Sequence, residues 1–162
     1  MRALQDRLKY MRWVEAASAF VLPLLFWNNW YRRSGHFAWE LRIASLVVVS
    51  YILLQGALYW HLKIRSIDAR LPLPAWFWPL FKGFKWSNVV AMLAVLAGLI
   101  AGSLGAASRV DLAWAWGLLA FALLEHINYY HYQLMYDTRA IFANLRQNGR
   151  LRRAALGVDL AR

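Results

Sequence analysis

The stretch Leu124-Glu125-His126-Ile127-Asn128-Tyr129-Tyr130-His131-Tyr132-Gln133 gathers a carboxyl, two imidazoles, two amides and three phenols within ten residues. Groups of these types carry general acid–base chemistry, with Glu125 as acid or base, His126 as its relay and Tyr129 or Gln55 as an orienting donor. The setting makes them unusual. Thirteen residues of helix separate Leu112 from Glu125, which at 1.5 Å per residue is roughly 20 Å of descent. In a hydrocarbon core of about 30 Å, roughly 10 Å then remains to the far edge. A charged carboxylate alone at that depth is costly, so Glu125 requires a proton, a hydrogen bond or a partner.

At about 100° per residue, Glu125, Asn128, Tyr129, Tyr132 and Tyr136 share one helical face. His126 falls at the edge of that face, and His131 points roughly opposite His126. Two histidines five apart do not converge on one metal as an i, i+4 pair does, so this helix alone is not expected to build a metal site. Partners must come from other helices at the same depth. Tyr51, Gln55 and Tyr59 recur every four residues on one candidate helix, and Glu15 and Ser18 occupy another. The expectation is a site with Glu125 and His126 as catalytic groups and Ser18, Gln55, Tyr59, Asn128 and Tyr129 as ligand-binding ones. The competing reading is that these side chains join helices to one another, each contributing about half to one kcal/mol. His61 and His131, near the ends of their runs, read as snorkelling side chains.

The elements that must position this cluster read as membrane helices. The chain is 61% hydrophobic over 162 residues, too apolar for an ordinary soluble domain. Its ten Trp sit mostly at the ends of apolar runs, where an indole ring suits the headgroup level. The runs Ile43–Trp60 and Val89–Ala107 are uncharged, and about twenty apolar residues cross a hydrocarbon core. Two further candidates are Trp13–Tyr31, with Pro23 predicting a kink, and Leu112–Tyr132. The reading is therefore an all-α integral membrane four-helix bundle with spans at about 13–31, 43–61, 87–107 and 112–134. It divides into an interfacial segment 1–12, a membrane domain 13–137 and a basic tail 138–162. The first span lacks a small-x-small cleavage pattern and reads as a retained helix rather than a signal peptide.

Charge gives the orientation. The N-terminal segment, the loop between the second and third spans, and the tail together hold fifteen Lys and Arg, against four in the other two loops. The positive-inside rule then puts both termini in the cytoplasm, at the cytoplasmic (inner) membrane of a cell. The net charge of +11 flanks apolar spans, which points to anionic lipid rather than nucleic acid. Basic amphipathic segments, Leu4-Leu8-Met11 at one end and Ile141-Phe142-Leu145 at the other, read as helices lying on that leaflet.

The connections add detail. The short link Ser108-Arg109-Val110-Asp111 makes the last two spans an antiparallel hairpin, with Asp111 as the expected N-cap. The loop RLPLPAWFWPLFKGFKW, Arg70 to Trp86, has three prolines that argue against a regular helix, and its aromatics read as an interfacial anchor. Ala94, Gly98 and Gly102 form a small-xxx-small stripe for close helix packing, within the chain rather than between copies. Asn28, Asn29, Arg32, Arg33, His36, Trp39, Glu40 and Arg42 crowd the first outer loop and read as solvated.

With no Cys, thiolate chemistry and disulfides are excluded. No hydrolytic triad or phosphate-binding glycine loop is visible either. The leading reading is a non-catalytic subunit, assembly or interaction module that works through a protein partner or as a homo-oligomer. The alternatives are an inner-leaflet lipid or isoprenoid enzyme using Glu125 and His126, a haem or metal protein using His61 with His126 or His131, and a proton-coupled transporter. No particular cofactor follows from the residues.

Overall fold

A computed structural model describes residues 2–32, 39–105, 107–134, 146 and 151–161. Its elements are α1 (Arg2–Arg32), α2 (Trp39–Ala69), α3 (Phe77–Leu104), α4 (Arg109–Tyr130) and the short α5 (Ala155–Leu160). The chain is a mostly helical, membrane-associated protein with several apolar helices.

Among the described residues, three helices are long and apolar enough to cross a membrane: Glu40–Ala69, Phe77–Leu104 and Arg109–Tyr130. This departs from the four spans expected. α1 is as long as α2, but Glu15, Ser18, Asn28, Asn29 and its basic first turns dilute its apolar content. Pro23 lies inside α1 without ending it. Residues 2–12 continue into 13–31 as one helix. The amphipathic segment expected after Arg139 lies outside the described residues, Arg146 apart.

α2 is the central helix, packing on α1, α3 and α4. Its buried residues Val49, Ile52, Leu53 and Tyr59 form one core with Leu118, Leu119 and Ala122 of α4. On α3, Phe77, Phe81, Asn88, Val95 and Leu99 are buried. Those spacings of four and seven residues trace a heptad-like seam. Gly98 and Gly102 receive the Leu41 side chain of α2, so the small-residue stripe admits a neighbour within the chain.

The aromatic loop is more ordered than its prolines suggest. Pro72 and Pro74 lie in the connection, but Pro79 sits in the first turn of α3, where a missing N–H removes no helical bond. The helix thus starts about a residue after Trp76 rather than at 87. Phe77 and Phe81 are fully buried against Tyr59, while Trp76 and Trp86 are exposed. An aromatic anchor is the expectation; two of its six aromatics, Phe77 and Phe81, are core.

The hairpin cap also differs. Ser108, not Asp111, is the N-cap of α4, its hydroxyl accepting the Asp111 N–H at 3.1 Å. Ser108 precedes the helix with extended dihedrals, which a cap needs. Asp111, one turn in, faces α2. There its carboxylate pairs with Arg42 at 2.5 Å, and both residues are 1% exposed. The Arg42 guanidinium also lies 5.1 Å from the ring centroid of Trp30, which packs with Phe26 and Trp114. Arg42, expected in a solvated loop, is instead a bolt joining α1, α2 and α4.

Candidate functional site

The polar groups divide into two clusters rather than one. The first is a closed network inside the bundle. Gln55 of α2 and Asn88 of α3 exchange side-chain hydrogen bonds of 2.8 and 2.9 Å. The Tyr130 hydroxyl donates to the same Gln55 oxygen at 2.8 Å. His126 Nδ1 lies 3.5 Å from the Asn88 amide nitrogen, and its ring stacks on Tyr130. Gln55, Asn88, His126 and Tyr130 are all buried. Two carboxamides paired face to face satisfy each other's donor and acceptor, so apolar surroundings cost the pair little.

The second cluster surrounds a cavity of about 380 Å3 between α1, α2, α4 and the C-terminal segment. Glu15 lines it from α1 and is buried, 8% exposed. Its carboxyl accepts a 2.9 Å hydrogen bond from Trp60 Nε1 and another from the Tyr129 hydroxyl. Gly56 makes this approach possible, because a Cβ there would collide with both the Glu15 carboxyl and the Tyr129 ring. Tyr59 and Asn128 also line the cavity.

The far wall is built by the C-terminal residues. Gln133 N–H donates to the Arg152 carbonyl at 2.9 Å, and Ala154 N–H donates to the His131 carbonyl at 3.1 Å. These bonds flank an isolated bridge between Tyr132 and Arg153. Asp159 then anchors α5: one carboxylate oxygen accepts from Tyr59 at 2.8 Å and from Lys63 at 2.6 Å. Its carbonyl accepts from Trp78 Nε1 at 3.2 Å. Gly157 lets α5 lie against the end of α4, since a Cβ would fall 2.6 Å from the Tyr130 carbonyl oxygen.

The expected residues are distributed unevenly between these clusters. Gln55 and His126 belong to the closed network; Tyr59, Asn128 and Tyr129 line the cavity. Glu125 is half-buried at the edge and accepts a 3.3 Å hydrogen bond from Asn128 of its own helix. Ser18 is half-buried on α1 and is not among the cavity's lining residues. On α4 the buried positions are 111, 115, 118, 119, 122, 126, 129 and 130. His126 therefore sits centrally on the packed stripe, and Glu125 beside it. Of the two glutamates, Glu15 is buried and Glu125 is only half-buried.

His131 also differs from its helical-wheel direction. α4 ends at Tyr130, and His131 is its C-cap with φ −124 and ψ −70. Its ring thereby comes within 5.7 Å of the His126 ring. His61 is exposed on α2, 3.5 Å from Arg12. Among the described residues, no group of three or more His, Asp or Glu is placed to hold a metal ion.

Sequence reasoning misses several contributors. Asn88 has a visible signal, a lone carboxamide at the head of an apolar run. Asp159 has one too, as an acidic residue in a basic tail. Tyr130 and Trp60 have none that separates them from the other aromatics. A second, larger groove of about 740 Å3 lies along α1 and α4. Leu22, Phe26, Trp114 and Phe121 line it, and Arg109 is its one charged lining residue; it offers no acid–base chemistry. Compared with protein-family models, with curated proteins and with solved structures, the chain matches none of them.

Proposed function

We propose that this chain is a non-catalytic subunit or assembly module of the cytoplasmic membrane, working by holding a shape and binding partners rather than by turnover. The observation that carries this reading is the engagement of Gln55, Asn88, Tyr130 and His126 with one another. Side chains so paired act as joints between helices. Glu125 and His126, the pair that a lipid-modifying enzyme would need, belong to different surroundings.

The finer architecture proposed with it is a four-span bundle with both termini cytoplasmic. α1 supports that count by its outer face, where Trp13, Phe20, Leu24, Trp27 and Tyr31 are all more than half exposed. A stripe of large apolar side chains at helical spacing is suited to lipid. Arg7 of α1 and Arg152 and Arg153 line one cavity, so both terminal regions share one end of the bundle. The Lys and Arg excess lies at that end, which faces the anionic leaflet.

Cross-linking in native membranes tests the reading. Discrete species above the monomer are expected, formed with a protein partner or a second copy, and retained in Glu125→Gln. A chain that stays monomeric in its own membrane would remove the proposal. One observation favours a second reading, an enzyme at the inner leaflet: the Glu15 carboxyl and Tyr129 hydroxyl line a cavity of ligand size.

A further inference from the structure

The cavity beside Glu15 is lined by more cationic than acidic side chains. Four cationic residues line it, Arg7, Lys63, Arg152 and Arg153, against two acidic ones, Glu15 and Asp159. Both acids are already engaged, Glu15 by Trp60 and Tyr129 and Asp159 by Tyr59 and Lys63. Like charges gathered around one concavity repel, and low-dielectric walls strengthen the field between them.

A basic tail left to itself would extend into water. Here it is folded back instead: the main chain of 152–154 is fixed by two hydrogen bonds to the end of α4, and α5 is pinned through Asp159. The guanidinium groups of Arg152 and Arg153 are thus brought to the cavity by backbone that is already ordered. With the backbone already held, binding a ligand there has only the side chains left to order. The same cavity has an apolar side formed by Leu8, Met11, Ile67 and Leu156. One concavity therefore presents guanidinium forks, which match phosphate oxygens, beside surface suited to an acyl chain.

We infer that this cavity binds the phosphate head of one anionic phospholipid, with Arg152, Arg153 and Arg7 around the phosphate and the first part of a chain against Leu8 and Met11. The inference rests on the membrane reading above and names the ligand of the cavity end. The C-terminal segment is then part of a lipid site, and its order is tied to the headgroup.

Thermal unfolding of the full chain in a neutral detergent tests it, with short-chain phosphatidylglycerol, phosphatidylcholine of the same chain length, and inorganic phosphate as separate additions. Phosphatidylglycerol is expected to raise the melting temperature saturably, and the other two are not. The double variant Arg152→Ala/Arg153→Ala removes exposed side chains and leaves the backbone bonds in place. It is expected to weaken the phosphatidylglycerol response at least about tenfold, or 1.4 kcal/mol. Arg65→Ala/Lys82→Ala, an equal charge loss elsewhere, is expected to leave it unchanged, and Arg152→Lys/Arg153→Lys to restore part of it. An equal response to phosphatidylcholine, or no response, overturns the inference. An equal response to inorganic phosphate overturns the lipid assignment, and an equal loss in both alanine pairs reduces the effect to surface charge. None of these outcomes bears on cross-linking in native membranes, so the two proposals fail separately.

Discussion

At the Arg42 end of the bundle, two formal charges are buried against each other between α2 and α4. Roughly 20 Å further along α2, at 1.5 Å per residue, the same two helices are joined with α3 by neutral groups only: Gln55, Asn88, Tyr130 and an imidazole. The difference follows depth. Near the hairpin loop, a helix N-terminus and an N-cap already favour a carboxylate, and Asp111 lies in the first turn of α4. Deeper along α2 no such compensation exists, and the desolvation cost of an ion pair would outweigh much of its attraction. Paired carboxamides give direction there without formal charge. The bundle thus uses charge for strength where charge is supported, and amides for register where it is not.

The largest effect should come from breaking the charged end on one side. Asp111→Ala strands Arg42 in the interior and is expected to cost about 3–5 kcal/mol of stability. The measurement is unfolding of the detergent-solubilised protein by heat or by denaturing detergent. Arg42→Met/Asp111→Leu removes both charges and should recover most of that loss. If the double variant were as unstable as the single one, the pairing would not explain the cost. At the amide network the effect should be smaller. Gln55→Leu leaves Asn88 and the Tyr130 hydroxyl short of partners, which costs about 1–3 kcal/mol. Gln55→Leu/Asn88→Leu should cost less than the sum of the two single changes; strict additivity would show that the amides do not act as a pair. The smallest change belongs to Glu125. Bonded within its own helix at the edge of the packed stripe, it should tolerate Glu125→Gln within about 0.5 kcal/mol. A large loss would move it into the joint and redraw the comparison.

Parts of this organisation are legible in the order of the residues alone. The uncharged runs around Ile43–Trp60 and Val89–Ala107 become α2 and α3, because twenty apolar residues leave few other ways to satisfy a backbone in lipid. The polar content of the Glu125–Tyr132 stretch is equally plain. Its geometry is not. A helical wheel assumes an unbroken helix, and α4 stops at Tyr130, which turns His131 towards His126. Pro79 has the look of a helix breaker and is a first-turn residue. Arg42 has the look of a loop charge and is the most buried cation among the described residues, since its partner lies sixty-nine positions away.

Composition and order along the chain determined that this protein is helical, apolar and basic on alternate connections, because hydropathy and charge are sums over neighbours in sequence. Which glutamate is buried, which amides pair, and where the tail's arginines end up were decided only by tertiary structure. Those outcomes depend on the rotation of each helix about its axis and on where each helix ends. A shift of one residue in either sends a side chain about 100° away, to lipid instead of a partner.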